Sequence, residues 1–66
     1  CMSVGVLKMT IEEIRNNKPD TVIYYRRIFF WKQYFVQDSD SGFWYHYASP
    51  FWFFYDSEKP LFIKPL

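Results

Sequence analysis

The chain is poor in the residues that usually hold a small domain together through covalent bonds or metal ions. Its 66 residues include one cysteine, Cys1, and one histidine, His46. A disulfide within the chain is therefore excluded, and so is the usual zinc site with four Cys or His ligands. A domain of this length buries only about 60% of its unfolded surface, so its stability must come from dense packing.

Long hydrophobic runs and blocks of one charge are also missing. Eight basic and seven acidic residues give a net charge of +1, which argues against a polybasic nucleic-acid binder. The apolar stretch 22–36 is interrupted by Arg26, Arg27, Lys32 and Gln33, so no segment reaches the roughly 20 apolar residues of a membrane span. The chain has no secretory signal pattern, and we expect a cytoplasmic protein with no membrane partner.

Residue patterns that carry catalysis or bind cofactors are scarce as well. The only glycines are Gly5 and Gly42, so a glycine-rich phosphate loop is excluded. His46 has no nucleophile and carboxylate in a pattern typical of a catalytic triad. The segment 38–42 begins like a calcium loop but lacks the third oxygen ligand and the closing Glu. We therefore expect no enzyme, no cofactor and no metal site.

Aromatic residues, by contrast, are abundant. Eight Phe, six Tyr and three Trp make up 26% of the chain. Each large ring buries about 150–250 Å² when it is covered, whereas a core of this size holds roughly ten large side chains. Some of the seventeen rings should therefore be exposed, and a cluster of exposed rings usually marks an interaction site.

The first predicted element is a short helix at about 10–17. Thr10 and Glu13 have the spacing of a capping box, which satisfies two backbone donors at a helix start. Ile11 and Ile14 share one face at helical spacing. Pro19 disfavours helix at the residue before it, so the helix should end there. Residues 1–9 are predicted to be a tail or an edge strand.

From residue 21 onward, β-branched and aromatic residues predict strands. Turn-forming residues around 38–42 predict a hairpin, and both faces of the central strands are apolar. The predicted strands are 21–26, 28–37, 42–48, 51–55 and 61–64. The fold class is α+β, mainly β: a single domain over 1–66, with one short N-terminal helix packed on a small twisted antiparallel sheet of four or five strands.

One pattern resembles a known group of proteins. The segments Ile11–Ile14 and Asn17–Tyr25, the repeated Trp and Tyr, and the Pro-Leu ending resemble small uncharacterised accessory proteins of tailed bacteriophages, of the host-takeover type. Thr21 and Ile23 stand where that group has Gly and His. The resemblance implies a phage protein in the host cytoplasm that modulates or inhibits a host enzyme or defence complex.

The function that we predict is binding of another protein through exposed aromatic side chains. Interface hot spots are enriched in Trp, Tyr and Arg. The predicted partner-binding residues are Trp31, Trp44, Tyr45, Trp52 and Arg27. One alternative is single-stranded nucleic-acid binding by an aromatic and basic sheet face, with Tyr24, Arg26, Arg27 and Lys32 as its site. Another alternative is a self-associating structural or accessory subunit, a homo-oligomer in which the spare sheet face pairs with its own copy.

Overall fold

The computed structural model describes residues 6–66, and side chains from residue 8 onward. It contains one short helix and a mainly antiparallel β-sheet, which confirms the α+β, mainly β prediction. The elements are β1 (Val6–Lys8), α1 (Ile11–Asn17), β2 (Tyr24–Ile28), β3 (Trp31–Gln37), β4 (Trp44–Ala48), β5 (Phe51–Asp56) and the two-residue β6 (Lys64–Pro65). Of the predicted tail or edge strand, residues 6–8 form β1, and residues 1–5, with Cys1, lie outside the described residues.

Helix α1 begins with the predicted capping box. The backbone N–H of Glu13 donates to Thr10 Oγ1 at 3.2 Å, and the backbone N–H of Thr10 donates to Glu13 Oε1 at 2.9 Å. The hydrogen bonds from Thr10 hold the pKa of Glu13 below its usual value. The helix ends at Asn17, shortly before Pro19, and its buried residue Ile14 faces the sheet core. The capping box and the proline thus set the two ends of the helix.

The sheet has the strand order β1-β5-β4-β3-β2-β6. Strands β2 to β5 follow one another as antiparallel neighbours. The two short strands lie at the edges, β1 beside β5 and β6 beside β2. A register shift between Trp44 and Tyr45 marks a bulge in β4. Pro50 lies in the turn between β4 and β5, with a cis Ser49–Pro50 peptide bond.

Both faces of the sheet contribute to the core. Ile14, Ile23, Val36 and Trp52 form a buried cluster on the helix side. Phe35 precedes Val36 in the same strand and therefore points to the opposite face, where it is fully buried and packs edge-on against Tyr55 with a centroid distance of 5.1 Å. Because α1 covers only one face, the second face relies on the segment between β5 and β6 for cover.

The strands begin at 24, 31, 44 and 64, and not at the predicted 21, 28, 42 and 61, and two of these differences concern turns of bulky residues. The break between the first two strands was predicted after residue 26, but β2 continues to Ile28 and the turn consists of Phe29 and Phe30. The last strand was predicted at 61–64, but Leu61 and Phe62 form a turn, and the strand begins at Lys64. In both places bulky apolar residues occupy a turn, where propensity predicts strand.

Candidate binding surface

The turn between β2 and β3 presents three consecutive aromatic side chains to solvent. Ile28 pairs with Trp31, so the loop between the strands has only two residues, Phe29 and Phe30. The exposed fractions are 88% for Phe29, 90% for Phe30 and 62% for Trp31. The rings of Phe30 and Trp31 pack edge-to-face at 6.5 Å. This turn therefore exposes apolar rings at the position where Asn, Asp or Gly is usual.

The backbone of this turn is also unusual. Phe29 has a φ of 55°, in the left-handed region that bulky residues rarely adopt. Holding such a residue there costs on the order of 1–3 kcal/mol, and strain of this kind clusters at functional sites. Packing of Phe29 inside the domain does not offset the cost, because its side chain is almost entirely exposed.

The segment before β6 repeats both features. Leu61 is 70% exposed and Phe62 is 88% exposed, and Phe62 has a φ of 59°. The Arg26 guanidinium holds this segment, since its Nη1 donates to the carbonyl of Leu61 at 3.2 Å and its Nε to Gln33 Oε1 at 3.1 Å. The guanidinium carbon also lies 5.0 Å from the centre of the Phe35 ring. Arg26 thus ties an exposed segment to a buried strand residue.

The two segments lie at the same end of the sheet. Strand β6 runs antiparallel to β2, with Lys64 opposite Tyr25, so the residues before Lys64 run beside the half of β2 that leads into the Phe29–Phe30 turn. We call the exposed apolar residues at this end the apical patch. It consists of Phe29, Phe30, Trp31, Leu61 and Phe62.

A basic cleft of about 350 Å³ borders the apical patch on the helix-side face of the sheet. The basic residues that line the cleft are Arg26, Arg27, Lys32 and Lys64. Tyr25 and Phe62 also line it. The Lys32 ammonium lies 5.2 Å from the centre of the Tyr25 ring, in a cation–π arrangement. Among the described residues that line the cleft there is no Asp or Glu.

The structure separates the predicted partner-binding residues into two groups. Trp31 and Arg27 are exposed, and both lie at the apical end. Trp44 and Trp52 are 5% and 0% exposed, which corrects the prediction that they contact a partner. The reason is geometric: Trp52 points toward the helix-side cluster, and Trp44 packs against Tyr24 at 5.5 Å. Tyr45 is half-buried and packs on the core cluster, away from the apical patch.

The residues predicted for nucleic-acid binding also separate. Arg27 and Lys32 pair across β2 and β3 and share the basic cleft. Tyr24 is half-buried on the opposite face, against Trp44, so its ring is not in the cleft. The Arg26 guanidinium donates hydrogen bonds to Gln33 and to the Leu61 carbonyl, and it lies over the Phe35 ring. Arg26 still contributes to the lining of the cleft, and so do Tyr25 and Lys64, which the prediction did not include.

Four of the five residues of the apical patch, all except Trp31, are not among the residues predicted from the sequence. The signal available in the sequence was the doublet Phe29-Phe30 beside Trp31, which is a strand pattern by propensity. Leu61 and Phe62 were assigned to a strand for the same reason.

Elsewhere, polar groups serve the fold. The Asp38 carboxylate accepts hydrogen bonds from Ser41 Oγ at 2.7 Å and from the backbone N–H of Ser41 at 3.3 Å, and the bond from the Ser41 side chain is the main cause that lowers the pKa of Asp38. Within residues 6–66, no three His, Cys, Asp or Glu side chains are placed to hold a metal ion. No helix in that range has the length and apolar character needed to cross a bilayer.

Comparison with known proteins gives no relative from which a function can be transferred. No protein-family model matches the chain, and neither a curated protein nor a solved structure matches it.

Proposed function

We propose that the chain is a protein-binding module and that the apical patch is its contact surface. The observation that carries the proposal is the exposure of Phe29 and Phe30, at 88% and 90%, in a two-residue turn where Phe29 has a positive φ. A turn that needed only to reverse the chain would be more stable with Asn or Gly at that position. Rings kept there at a conformational cost are explained by a partner that covers them.

The size of the patch suits a protein partner. Aromatic side chains present about 150–250 Å² each when uncovered, so five large exposed side chains offer on the order of several hundred Å². A standard protein interface buries about 800 Å² on each partner, with aromatic and Arg side chains enriched at its centre. The resemblance to phage accessory proteins makes a host enzyme or defence complex the first class of partner to test, with inhibition as the mode of action.

Trp31 supplies a direct readout of binding, because it is the exposed tryptophan and the other two are buried. Tagged chain is used to capture proteins from bacterial lysate, with nuclease present, and each purified candidate is then titrated against the chain. Burial of Trp31 should shift its emission to shorter wavelength. The matched variants are the double substitution Phe30→Ser with Trp31→Ser, and the control Val22→Ser, an exposed apolar residue outside the patch.

The expected result is that the wild type and the Val22→Ser variant retain the same protein, and that the double variant loses it while remaining folded by circular dichroism. Equal retention by all three chains, or a Trp31 emission that does not move on saturation, would rule out the apical patch as the contact surface. A mass that rises with chain concentration, and that the double variant abolishes, would instead identify a second copy as the partner.

A second candidate function is single-stranded nucleic-acid binding, and the basic cleft is the observation that favours it. Arg27, Lys32 and Lys64 line one cleft with the rings of Tyr25 and Phe62, a combination of cations and rings found in single-strand binding grooves. Titration with a fluorescent oligothymidine tests this function. The affinity should fall steeply with salt, with a slope of about −0.7 for each phosphate neutralised. Absence of binding at low salt would exclude it.

A further inference from the structure

The apical patch and the basic cleft form one continuous surface. Phe62 belongs to both. Arg27, in the wall of the cleft, donates from its Nε to the carbonyl of Phe29 at 3.3 Å, which joins the cleft to the aromatic turn. A partner that covers the exposed rings therefore also lies over the cationic side chains of the cleft.

The charges of the chain are unevenly placed. All seven acidic residues lie outside the segments 21–37 and 59–66, and these two segments hold five of the eight basic residues. The acidic residues are in the helix, in the segment after it, in the β3–β4 turn and around the end of β5. The small net charge of +1 thus conceals a basic end of β2, β3 and β6, beside the apical patch.

Two kinds of cation occupy this basic end. The guanidinium of Arg26 is engaged within the domain, by Gln33, by the Leu61 carbonyl and by the ring of Phe35. Arg27, Lys32 and Lys64 are exposed, and they line a cleft whose described walls contain no carboxylate. Their charge is therefore available to a group that enters the cleft from outside.

We propose that the partner segment that covers the apical patch is acidic, with apolar side chains on the rings and carboxylates in the basic cleft. This inference rests on the proposed function and adds the chemistry of the partner to it. Complementary charge at the edge of an apolar contact contributes mainly to specificity and to the rate of association. Carboxylates also match Arg27 by geometry, since a guanidinium binds a carboxylate in bidentate fashion.

An acidic protein segment fits the surface better than a nucleic acid does. Single-strand binding grooves offer a series of ring faces along the backbone path. In the cleft, the face of Tyr25 is already occupied by the Lys32 ammonium. The apical patch, moreover, adds Phe29, Phe30 and Leu61 at 70–90% exposure, and the aliphatic Leu61 offers no ring face on which a base could stack.

The test uses a display library of random peptides, selected for binding to the intact chain and counter-selected on the Phe30→Ser, Trp31→Ser double variant. The peptides retained should be enriched in Asp and Glu next to aromatic or aliphatic residues, relative to the unselected library. The affinity of one retained peptide is then measured on three charge-reversal variants, Arg27→Glu, Lys32→Glu and Lys64→Glu. The matched control is Arg15→Glu, which makes the same change on α1.

Each of the three cleft variants should weaken binding of the peptide by about tenfold, which corresponds to about 1.4 kcal/mol. The Arg15→Glu control should bind like the wild type. Raising the ionic strength to about 1 M should also weaken binding by several fold, because the screening length falls to about 3 Å. A charge-swapped peptide, with Lys in place of its acidic residues, should bind the Lys32→Glu variant better than the wild type.

The outcomes separate this inference from the proposed function. Retained peptides without acidic enrichment, with affinity unchanged in the cleft variants but lost in the ring variant, would overturn the acidic partner and leave the proposed function standing. If the wild type retained no peptide better than the double variant does, the result would count against both the acidic partner and the proposed function. Tight binding of an oligothymidine that the cleft variants abolish, with no acidic peptide retained, would replace the inference by the nucleic-acid function.

Discussion

The two turns that flank β3 both reverse the chain, but one is built mainly from small polar residues and the other from aromatic residues. The β3–β4 turn is made of Asp, Ser and Gly. Asp38 caps it through side-chain and backbone hydrogen bonds, the backbone N–H of Gly42 donates to the Asp38 carbonyl at 2.8 Å, and Gly42 itself supplies a φ of 79°. In the β2–β3 turn, Phe29 also has a positive φ, and its ring is exposed. One turn is built from residues that favour its backbone conformation, and the other holds a bulky residue at a strained φ with its ring exposed.

The same contrast separates a covered position of the sheet from an uncovered one. The face under α1 buries Trp52, whereas the β2–β3 turn leaves Trp31 exposed. The role of a ring in this domain is therefore not decided by residue type. It is decided by whether α1 or the β5–β6 segment covers the ring. The following changes test that contrast.

Trp52→Ala should give the largest effect. Removing a large, fully buried aromatic side chain typically costs about 3–5 kcal/mol, a large part of the roughly 5–15 kcal/mol that stabilises a domain. The variant should be largely unfolded in urea concentrations that the wild type tolerates. The apical counterpart, Trp31→Ala, should change the free energy of unfolding by less than about 0.5 kcal/mol. Similar losses of stability in both variants would abolish the distinction between the covered position and the uncovered one.

Arg26→Met should give the next largest effect. The change removes a guanidinium that donates to Gln33 and Leu61, and hydrogen bonds of charged groups contribute about 1.5–3 kcal/mol. Because Arg26 is only half-buried, we expect a loss of about 1–2 kcal/mol. Hydrogen exchange at the backbone N–H of Leu66, which donates to the Ile23 carbonyl at 2.7 Å, should accelerate.

Its neighbour Arg27 is the control for this prediction. Arg27→Met changes the same side chain at an exposed position, where Nε donates to the Phe29 carbonyl. The free energy of unfolding should therefore fall by less than about 0.5 kcal/mol, and the exchange rate at Leu66 should stay close to the wild-type value. If the two methionine variants behaved alike, Arg26 would not be the residue that holds the 57–63 segment.

Phe29→Asn should have a smaller effect of opposite sign. Asn adopts the left-handed region far more readily than Phe, so relief of strain should raise the free energy of unfolding by about 0.5–1 kcal/mol. Partner binding should weaken at the same time, because a ring of the patch is lost. Phe30→Asn is the control, since Phe30 has no positive φ; it should weaken binding without gaining stability. A loss of stability in Phe29→Asn would show that the ring of Phe29 supports the fold.

The smallest predicted effect concerns pH and the β3–β4 turn. Folding lowers the pKa of Asp38, mainly through the hydrogen bond from Ser41. The ionised carboxylate therefore stabilises the fold above the ordinary aspartate pKa of about 3.9, and this contribution is lost as pH falls through the lower folded pKa. Since the group is exposed, we expect less than about 1 kcal/mol.

Urea unfolding at neutral pH and at about pH 2, near or below the pKa values involved, would measure this effect. Asp38→Asn should lower the free energy of unfolding at neutral pH, and it should reduce the difference in this free energy between neutral pH and about pH 2. Asp40→Asn is the control in the same turn, because Asp40 contributes its backbone N–H to the Asp38 carboxylate at 3.4 Å. If Asp40→Asn reduced the difference in the free energy of unfolding by the same amount, the pH dependence would come from the charge of the turn as a whole.

The parts of the fold that follow local rules could be predicted from the sequence. Thr10, Glu13 and Pro19 fix the helix, and the Asp, Ser and Gly residues around Gly42 fix the hairpin between β3 and β4. Each of these signals comes from a side chain that satisfies or removes a backbone hydrogen bond nearby. The fold class followed from the positions of such signals.

The apical patch could not be located in this way. Phe29, Phe30 and Phe62 carry the propensity of strand residues, and nothing within a few positions of them indicates a positive φ. Their exposure is decided by contacts distant in sequence, such as the one between Arg26 and Leu61. The prediction that all three tryptophans contact a partner was wrong for Trp44 and Trp52 for a related reason: both strand faces are apolar, so alternation cannot tell which rings the fold buries.

The apical patch combines residues 29–31 with residues 61–62, two segments that only the folded chain brings to one end of the sheet. An unfolded chain or a peptide from either segment therefore presents half of the surface. If a partner binds the folded state alone, binding and folding are thermodynamically linked, and a partner at a hundred times its Kd adds about 2.7 kcal/mol to the stability of the domain. For a chain this small, the concentration of the partner then sets how much of the protein survives proteolysis.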